Sequence, residues 1–248
     1  MFGRQHREPV YRSPGGAYYK LFEDMMQQPH LLIAGTTRSG KSVIINGIVY
    51  TALLHTPERA GLILIDPKRV ELVQYKDCPH VHRYASEPDE MVNALKYTLA
   101  LIEHRYKVMQ QERVRLYPGG EVYLIIDELA DLLTTDRKRV QPLIQRICQI
   151  GRAARVHLIG ATQRPTSEII NTNITVNVDA RVGLRTRNAQ ESRNILGANG
   201  CECLPRFGKG FYQTPDGTTL YNIPMYTDNQ LDELVRYWTS SRCLYRAA

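Results

Sequence analysis

Short apolar runs alternate with amphipathic segments along most of this chain. Four of the runs are only four or five residues long and almost wholly apolar, at positions 31–34, 62–65, 122–126 and 156–159. A strand that is covered on both faces has this unbroken pattern, whereas a half-exposed strand alternates between apolar and polar residues. The pattern therefore predicts an α/β fold with a mainly parallel sheet flanked by helices.

Three segments have the spacing of amphipathic helices. The longest follows the second strand, and its apolar residues recur every three or four positions: Met91, Leu95, Leu99, Ile102, Tyr106 and Met109. Ser86 and Asp89 predict a capping box at its start, and a Pro-Gly-Gly sequence at 118–120 predicts its end. Two further helices are predicted, over residues 135–150 and 228–240.

The first 28 residues are rich in Arg, Gly, Pro and Tyr and have no sustained period. We therefore divide the chain into a basic lead-in arm, residues 1–28, and one α/β domain, residues 29–248. A chain of 248 residues is long enough for one large domain of this class.

Composition indicates which class of partner the protein binds and in which cellular compartment it acts. The net charge of +7 favours an anionic partner. Five cysteines at irregular spacing, together with no recognisable signal peptide, predict reduced thiols and a cytoplasmic protein. The spacing of Cys78, His80, His82, Cys201 and Cys203 matches no common zinc motif. No apolar run approaches the ~20 residues that a membrane-spanning helix needs.

The strongest chemical signal directly follows the first strand. Residues 35–42 form a complete phosphate-loop sequence, G-x-x-x-x-G-K-S, and an apolar stretch follows it. The predicted ATP-binding residues are those of the loop: Gly35, Thr36, Thr37, Arg38, Ser39, Gly40, Lys41 and Ser42. In such loops the backbone amides surround the phosphates, Lys41 meets the β- and γ-phosphates, and the Ser42 hydroxyl binds Mg²⁺.

Two carboxylates end the third apolar run. Asp127 and Glu128 follow the strand at 122–126, which is the form of a Walker B element. We expect Asp127 to bind Mg²⁺ through water and Glu128 to polarise the attacking water, because hydrolysis needs a carboxylate besides the metal ligand. The cofactors implied are ATP and Mg²⁺.

Other polar residues lie at the ends of predicted strands. Asp66, Pro67 and Lys68 follow the second strand, and Gln163 follows the fourth, where it is a candidate sensor of the γ-phosphate. Arg152 lies after a helix and before a strand, a place from which an arginine can project across a subunit boundary to a neighbouring nucleotide. Each of these signals is weak in isolation.

Taken together, these motifs resemble the FtsK/SpoIIIE family of ATP-driven DNA translocases. The matching strings, in order, are Pro-His-Leu-Leu-Ile-Ala-Gly at 29–35, Ile-Asp-Pro-Lys at 65–68, Asp-Glu-Leu-Ala-Asp-Leu at 127–132, Arg-Ala-Ala at 152–154, Ala-Thr-Gln-Arg-Pro at 161–165 and Ser-Arg-Asn-Ile-Leu at 192–196. The resemblance extends over about residues 29–240.

The resemblance implies a RecA-like P-loop NTPase core that assembles as a homo-hexamer around double-stranded DNA, with ATP bound between subunits. Arg152 occupies the position of the family's arginine finger. Arg164 matches one loop that lines the channel, and Arg193, together with Arg187, matches a second. Such loops bind phosphates without recognising bases.

The chain departs from the family in several places. Arg38 stands where a small residue is expected, and Arg155 replaces an expected glycine. The family's membrane segment and its winged-helix DNA reader are not found in this sequence, so we expect a bare motor core. Such a motor suits a mobile element, where a relaxase or a replication protein recruits it.

Three functions remain open from the sequence. The first is a DNA translocase for transfer, replication or segregation of a mobile element or chromosome, and the net positive charge and Arg164 favour it. The second is the ATPase module of a protein secretion system. The third is a nucleotide-binding scaffold that does not hydrolyse, which the set Lys41, Asp127, Glu128 and Arg152 disfavours.

Overall fold

The computed structural model describes residues 17–54, 60–170 and 176–240, which contain an eight-stranded sheet. The strands are β1 His30–Ala34, β2 Ala60–Ile65, β3 Val81–Ala85, β4 Glu121–Ile126, β5 Val156–Thr162, β6 Ala180–Gly183, β7 Lys209–Thr214 and β8 Gly217–Asn222. Their order is β3-β2-β4-β5-β1-β6-β7-β8. Strands β1 to β6 are parallel, and β7 and β8 are antiparallel at one edge. The predicted mainly parallel sheet and all four predicted strands are confirmed.

Helices cover both faces of this sheet. They are α1 Ala17–Gln27, α2 Lys41–Leu54, α3 Pro88–Glu112, α4 Leu129–Ile150, α5 Ala189–Leu196 and α6 Asp228–Thr239. One core packs α3, α4 and α5 against the sheet, and a second packs α1, α2 and α6 against the other face. Alternate residues of β1 enter the two cores: Leu32 and Ala34 the first, Leu31 and Ile33 the second. Burial on both faces explains why the predicted strands are unbroken apolar runs.

Part of the predicted lead-in arm is a helix that the sequence pattern did not predict. Phe22 of α1 is wholly buried, and a Cβ added to Gly47 of α2 would come within 2.2 Å of its ring. A glycine at position 47 therefore permits the close contact of α1 with α2. Residues 1–16 of the arm lie outside the described residues, and the domain boundary at residue 28 stays a prediction.

The ends of the long helix differ from the prediction. The capping box of α3 is formed by Glu87 and Glu90, one position later than the predicted Ser86 and Asp89. The reason is Pro88, which lacks an amide proton and fits the first position of a helix, so that the preceding residue becomes the cap. The helix ends at Glu112 rather than at residues 118–120, since the next residue adopts a left-handed conformation with φ 56°.

Helix α4 begins earlier than predicted, directly after Glu128. Its path is interrupted at Asp136, whose φ of −155° is not helical and whose Oδ1 accepts a 3.0 Å hydrogen bond from the amide of Arg139. The predicted helix over residues 135–150 corresponds to the part after this break. Helix α6 lies where it was predicted. Within the described ranges, no helix combines the length and the apolarity needed to cross a bilayer.

Candidate functional site: a phosphate loop at the carboxyl edge of the sheet

The phosphate loop connects β1 to α2, whose first residue is Lys41. Since β1 lies between β5 and β6, the loop lies between the ends of these two strands. Backbone hydrogen bonds fix it on both sides: the amide of Gly35 donates to the carbonyl of Thr162 at 3.3 Å, and that of Thr36 to the carbonyl of Arg185 at 2.9 Å. The switch point of a parallel sheet is where such folds bind ligands.

Two residues of the loop take left-handed conformations, Arg38 with φ 62° and Gly40 with φ 102°. The alternation of backbone conformation curls the loop, so that its amides are able to surround an anion. A Cβ added to Gly35 would lie 2.6 Å from the Cβ of Leu184 and 2.7 Å from the Oγ of Ser39. Because its φ is positive, Arg38 has a backbone conformation that favours glycine. Its side chain is exposed.

The loop carries two buried polar groups that suit a phosphate. Lys41 is only 5% exposed, and burial lowers the pKa of its ammonium, although the carboxylates of Glu128 and Asp127 oppose this effect. The Oγ of Ser39 is buried and has no hydrogen-bond partner among the described residues. Buried hydroxyls are almost always paired, so a phosphate oxygen is a fitting partner for this one.

Asp127 is a buried carboxyl with an excess of negative charge around it. Its pKa is raised from 3.8 to about 6, first because burial penalises the charged form and then because Glu71 and Asp66 lie near, while Lys41 has the opposite effect. A divalent cation at this place would offset the negative charge, and carboxylate and hydroxyl oxygens are the ligands that Mg²⁺ prefers. Asp127 and the partly buried Ser42 therefore fit the predicted Mg²⁺ site.

Glu128 is 1% exposed and accepts hydrogen bonds from three donors. The hydroxyl of Thr162 donates to Oε1 at 2.7 Å, and the amide of Gln163 lies 3.1 Å from both oxygens. The ammonium of Lys68 donates to Oε2 at 3.2 Å. The end of β5 and the turn after β2 thus fix this carboxylate from two sides.

Gln163 connects the phosphate loop to the end of β5, where two of the three donors to Glu128 lie. Its side-chain oxygen accepts a 2.9 Å hydrogen bond from the hydroxyl of Thr37. The structure therefore brings together four of the predicted catalytic residues, Lys41, Asp127, Glu128 and Gln163, at one edge of the sheet.

The three arginines predicted to bind DNA follow the same edge and are exposed. Arg164 directly follows Gln163. Arg187, with Arg185, lines a cavity of about 400 Å³ that also includes Thr36 and Thr37 of the phosphate loop. The guanidinium of Arg193 on α5 donates hydrogen bonds to Asn199 at 2.7 Å and Gln190 at 3.0 Å. Their contact with DNA stays a prediction.

The fifth predicted catalytic residue, Arg152, lies near the amino end of β5, whereas the phosphate loop lies at the carboxyl ends of the strands. Arg152 is an exposed residue of the turn between α4 and β5. Strand β5 runs from Val156 to Thr162, and six steps along a parallel strand span ~20 Å. Arg152 therefore does not belong to the nucleotide site of its own chain.

Charged side chains, of which Arg105 is buried, hold the turn that carries Arg152. Arg155 has φ 52°, so the position where a glycine was expected is left-handed, and its guanidinium forms an ion pair with Glu121. The guanidinium of Arg105 donates to the carbonyls of Ala154 at 2.8 Å and Arg155 at 3.1 Å. Charged partners thus hold Arg155 in a left-handed conformation that a glycine adopts without strain.

Sequence reasoning missed two residues of this site. Thr162 lies within the Ala-Thr-Gln-Arg-Pro string but has no motif role of its own, and Lys68 only follows a predicted strand end. Asp66, noted with it, has a structural contact instead: its Oδ2 accepts a 2.9 Å hydrogen bond from the amide of Leu72. The cysteine and histidine groups do not meet, since Cys78 precedes β3 and Cys201 packs against Gly183 of β6, five strands away.

The sheet order and this site define a P-loop ATPase fold with a nucleotide-binding site. The model of the FtsK/SpoIIIE family matches residues 4–121 and 120–167. The chain belongs to this family.

Curated relatives agree with this assignment. The DNA translocase FtsK of Staphylococcus aureus strain Mu50 is 39% identical over 234 residues, which is 85% of this chain and 30% of the relative. That of Agrobacterium fabrum strain C58 is 34% identical over 259 residues, 86% of this chain and 29% of the relative. The chain thus spans less than a third of the length of these relatives.

Solved structures share the fold. The pCW3 conjugation coupling protein TcpA, in its monomer form with ATPγS, has a TM-score of 0.76 at 23% identity, with 86% of this chain and 66% of that chain covered. The cytoplasmic domain of the type VII secretion ATPase EccC of Thermomonospora curvata has a TM-score of 0.71 at 24% identity, with 86% and 28% covered.

Proposed function

We propose that this chain is an ATPase motor that moves along double-stranded DNA. The observation that carries the proposal is the position of the phosphate loop between two strand ends, each followed by exposed arginines. Arg164 follows β5 on one side, and Arg185 and Arg187 follow β6 on the other. Nucleotide chemistry in this loop is therefore adjacent to both candidate DNA contacts.

The residues of the site divide the work of hydrolysis. Lys41 neutralises charge on the β- and γ-phosphates, Gln163 donates to the γ-phosphate, and Glu128 accepts a proton from the attacking water. Ser42 and Asp127 would hold Mg²⁺, and the bound ion would supply charge neutralisation on the phosphate oxygens. The arginines bind the phosphate backbone, so that movement does not depend on base sequence.

The proposal includes a homo-hexamer with ATP at each boundary between subunits. Arg152 supports the hexamer. It is exposed and lies ~20 Å along β5 from the nucleotide site of its own chain, so it can assist hydrolysis only at the site of a neighbouring subunit. We further propose that the motor acts in the cytoplasm on DNA of a mobile element or chromosome, and that a relaxase or a replication protein recruits it.

The test is ATP hydrolysis with and without linear duplex DNA of two unrelated sequences. We expect strong stimulation by both sequences to the same extent, with weaker stimulation as salt is raised. Hydrolysis that is unaffected by duplex DNA, with no duplex binding at low salt, would contradict the proposal and favour the secretion ATPase. Absence of hydrolysis under all these conditions would favour the scaffold.

A further inference from the structure

Arg152 lies in a short turn whose backbone is closed by its own hydrogen bonds. The amide of Val156 donates to the carbonyl of Gly151 at 3.0 Å, and the amide of Arg155 donates to the carbonyl of Arg152 at 3.1 Å. A Cβ added to Gly151 would lie 2.4 Å from the carbonyl oxygen of Val156, so a glycine at this position permits the tight closure. The backbone under Arg152 therefore has a defined path, although the side chain itself is exposed.

Groups from outside the turn bind its other three carbonyls. The amide of Tyr117 donates to the carbonyl of Ala153 at 3.0 Å. The Nη1 atom of Arg105 donates to the carbonyl of Ala154 at 2.8 Å and to that of Arg155 at 3.1 Å. Every carbonyl of residues 151–155 is thus hydrogen-bonded, and two of them accept from one side chain.

Arg105 is a buried cation on α3. It is 6% exposed, and its guanidinium carbon lies 4.3 Å from the centroid of the Tyr117 ring. Burial lowers the pKa of this guanidinium, and Tyr117 and Glu121 oppose that effect only in part. Because burying a charge costs free energy, an apolar side chain of similar length would serve packing as well. The distinct contribution of Arg105 is therefore its hydrogen bonding to the turn.

We propose that Arg105 is a positioning residue that holds Arg152 in place for the nucleotide site of a neighbouring subunit. An arginine that stabilises a transition state must be placed accurately, because an error of about 1 Å can cost a hundredfold in rate. Arg105 binds the turn before the amino end of β5, ~20 Å along that strand from the nucleotide site of its own chain, so it acts through the turn. This inference rests on the proposed function, since it takes Arg152 to act across a subunit boundary.

The first test is hydrolysis by two variants of the full chain. Arg105→Met keeps the length of the side chain and removes its charge and its donors. We expect the rate at saturating ATP to fall by roughly ten- to a hundredfold, while the Kd of a fluorescent ATP analogue stays at the parental value. Arg105→Lys keeps a charge and N–H donors, so it should lose less. Arg83→Met is the matched control, because the guanidinium of Arg83 also lies over a tyrosine ring, 4.6 Å from the centroid of Tyr97, but belongs to β3.

Two further measurements separate positioning of Arg152 from a general effect on the fold. The double variant Arg105→Met/Arg152→Ala should hydrolyse ATP no more slowly than Arg152→Ala alone, because two residues that act as a unit do not have additive effects. Mixing Arg105→Met with Lys41→Ala should restore part of the activity, because the intact nucleotide site of the first variant then meets a correctly held Arg152 of the second. A general defect would add to the loss of Arg152, and mixing would not relieve it.

Three results would overturn the inference. The first is a parental hydrolysis rate in Arg105→Met. The second is a double variant whose loss equals the product of the two separate losses. The third is no recovery of Arg105→Met on mixing, at ratios where Arg152→Ala does recover. Should Arg105→Met fail to fold, as measured by circular dichroism, Arg105→Lys carries the same comparisons.

Failure of the proposed function is distinguishable. A parental hydrolysis rate in Arg152→Ala contradicts the site shared between subunits, and with it the role of Arg105. A large loss in Arg152→Ala beside a parental rate in Arg105→Met contradicts only the role of Arg105.

Discussion

The hydroxyl of Thr37 donates a 2.9 Å hydrogen bond to the side-chain oxygen of Gln163. This bond joins the phosphate loop to the residue whose amide donates to Glu128. Gln163 thus makes hydrogen bonds both to the phosphate loop and to Glu128, the proposed general base. The proposed roles of Lys41 and Glu128 differ, so substitution of the two residues should have different effects.

Lys41→Ala should abolish hydrolysis and weaken ATP binding, because it removes the buried cation that meets the phosphates. Glu128→Gln should bind ATP as well as the parent and stop turnover, since only the charge that activates water is lost. The measurements are phosphate release and the Kd of a fluorescent ATP analogue. Lys96→Ala, at an exposed position of α3, is the control. Turnover at the parental rate in Glu128→Gln would remove that residue from the role of base.

Arg152→Ala should lower hydrolysis by a large factor, with ~10³ as a guide from arginine fingers. Its own nucleotide site stays intact, so mixing it with Lys41→Ala should restore part of the activity wherever that site faces an intact Arg152. The measurement is the rate of phosphate release across mixing ratios. Arg146→Ala, which is exposed on α4, is the matched control. If no mixing ratio gives a rate above the sum of the rates of the separate variants, the site is not shared between subunits.

Asp127→Asn should make the protein more stable above pH 6. The folded-state pKa of about 6 exceeds the ordinary 3.8, so the folded chain holds a proton that the unfolded chain releases between these values. The contribution of this carboxyl to stability is therefore present at low pH and lost as pH rises through 6. We expect a gain of about 1–3 kcal/mol in the free energy of unfolding at pH 8, and a smaller gain at pH 4.

Denaturant titrations at the two pH values measure this gain. Asp216→Asn, at an exposed position in the turn between β7 and β8, is the control. A gain that is the same at pH 4 and pH 8 would show that it does not come from the ionisation of Asp127.

Arg38→Gly should be more stable than Arg38→Ala by about 0.5–1 kcal/mol, because the left-handed conformation with φ 62° costs alanine more than glycine. Both variants lose the same guanidinium, so their difference reports the backbone alone. Equal midpoints in denaturant unfolding would mean that the loop does not hold this conformation in solution.

The strands that the sequence predicted are those buried on both faces. Strands β7 and β8 were missed because they form a hairpin with much polar and exposed sequence, and every residue of β8 is at least partly exposed. The edge strand β3 carries His82, Arg83 and Tyr84, and the four residues of β6 are too few to form a recognisable run.

The site divides in the same way. The phosphate loop, with its lysine, and the Walker B pair are contiguous in sequence, so each motif identifies itself. The hydrogen-bond partners of Glu128 cannot be recognised from a local motif. Thr162 and Lys68 reach it because β5 and β2 are the two neighbours of β4. Strand order depends on how the whole chain packs, and a local pattern does not contain it. The position of Arg152 near the amino end of β5, by contrast, follows from its place before a predicted strand.

The proposed motor moves along duplex DNA, driven by ATP. Its most direct measurement is displacement of a labelled third strand from a triplex site at a distance from the end of a linear duplex. We expect displacement with ATP, after a delay that increases with the distance to the site, and no displacement with ATPγS or with Glu128→Gln. Hydrolysis stimulated by DNA without any displacement, at any distance, would contradict a translocating motor.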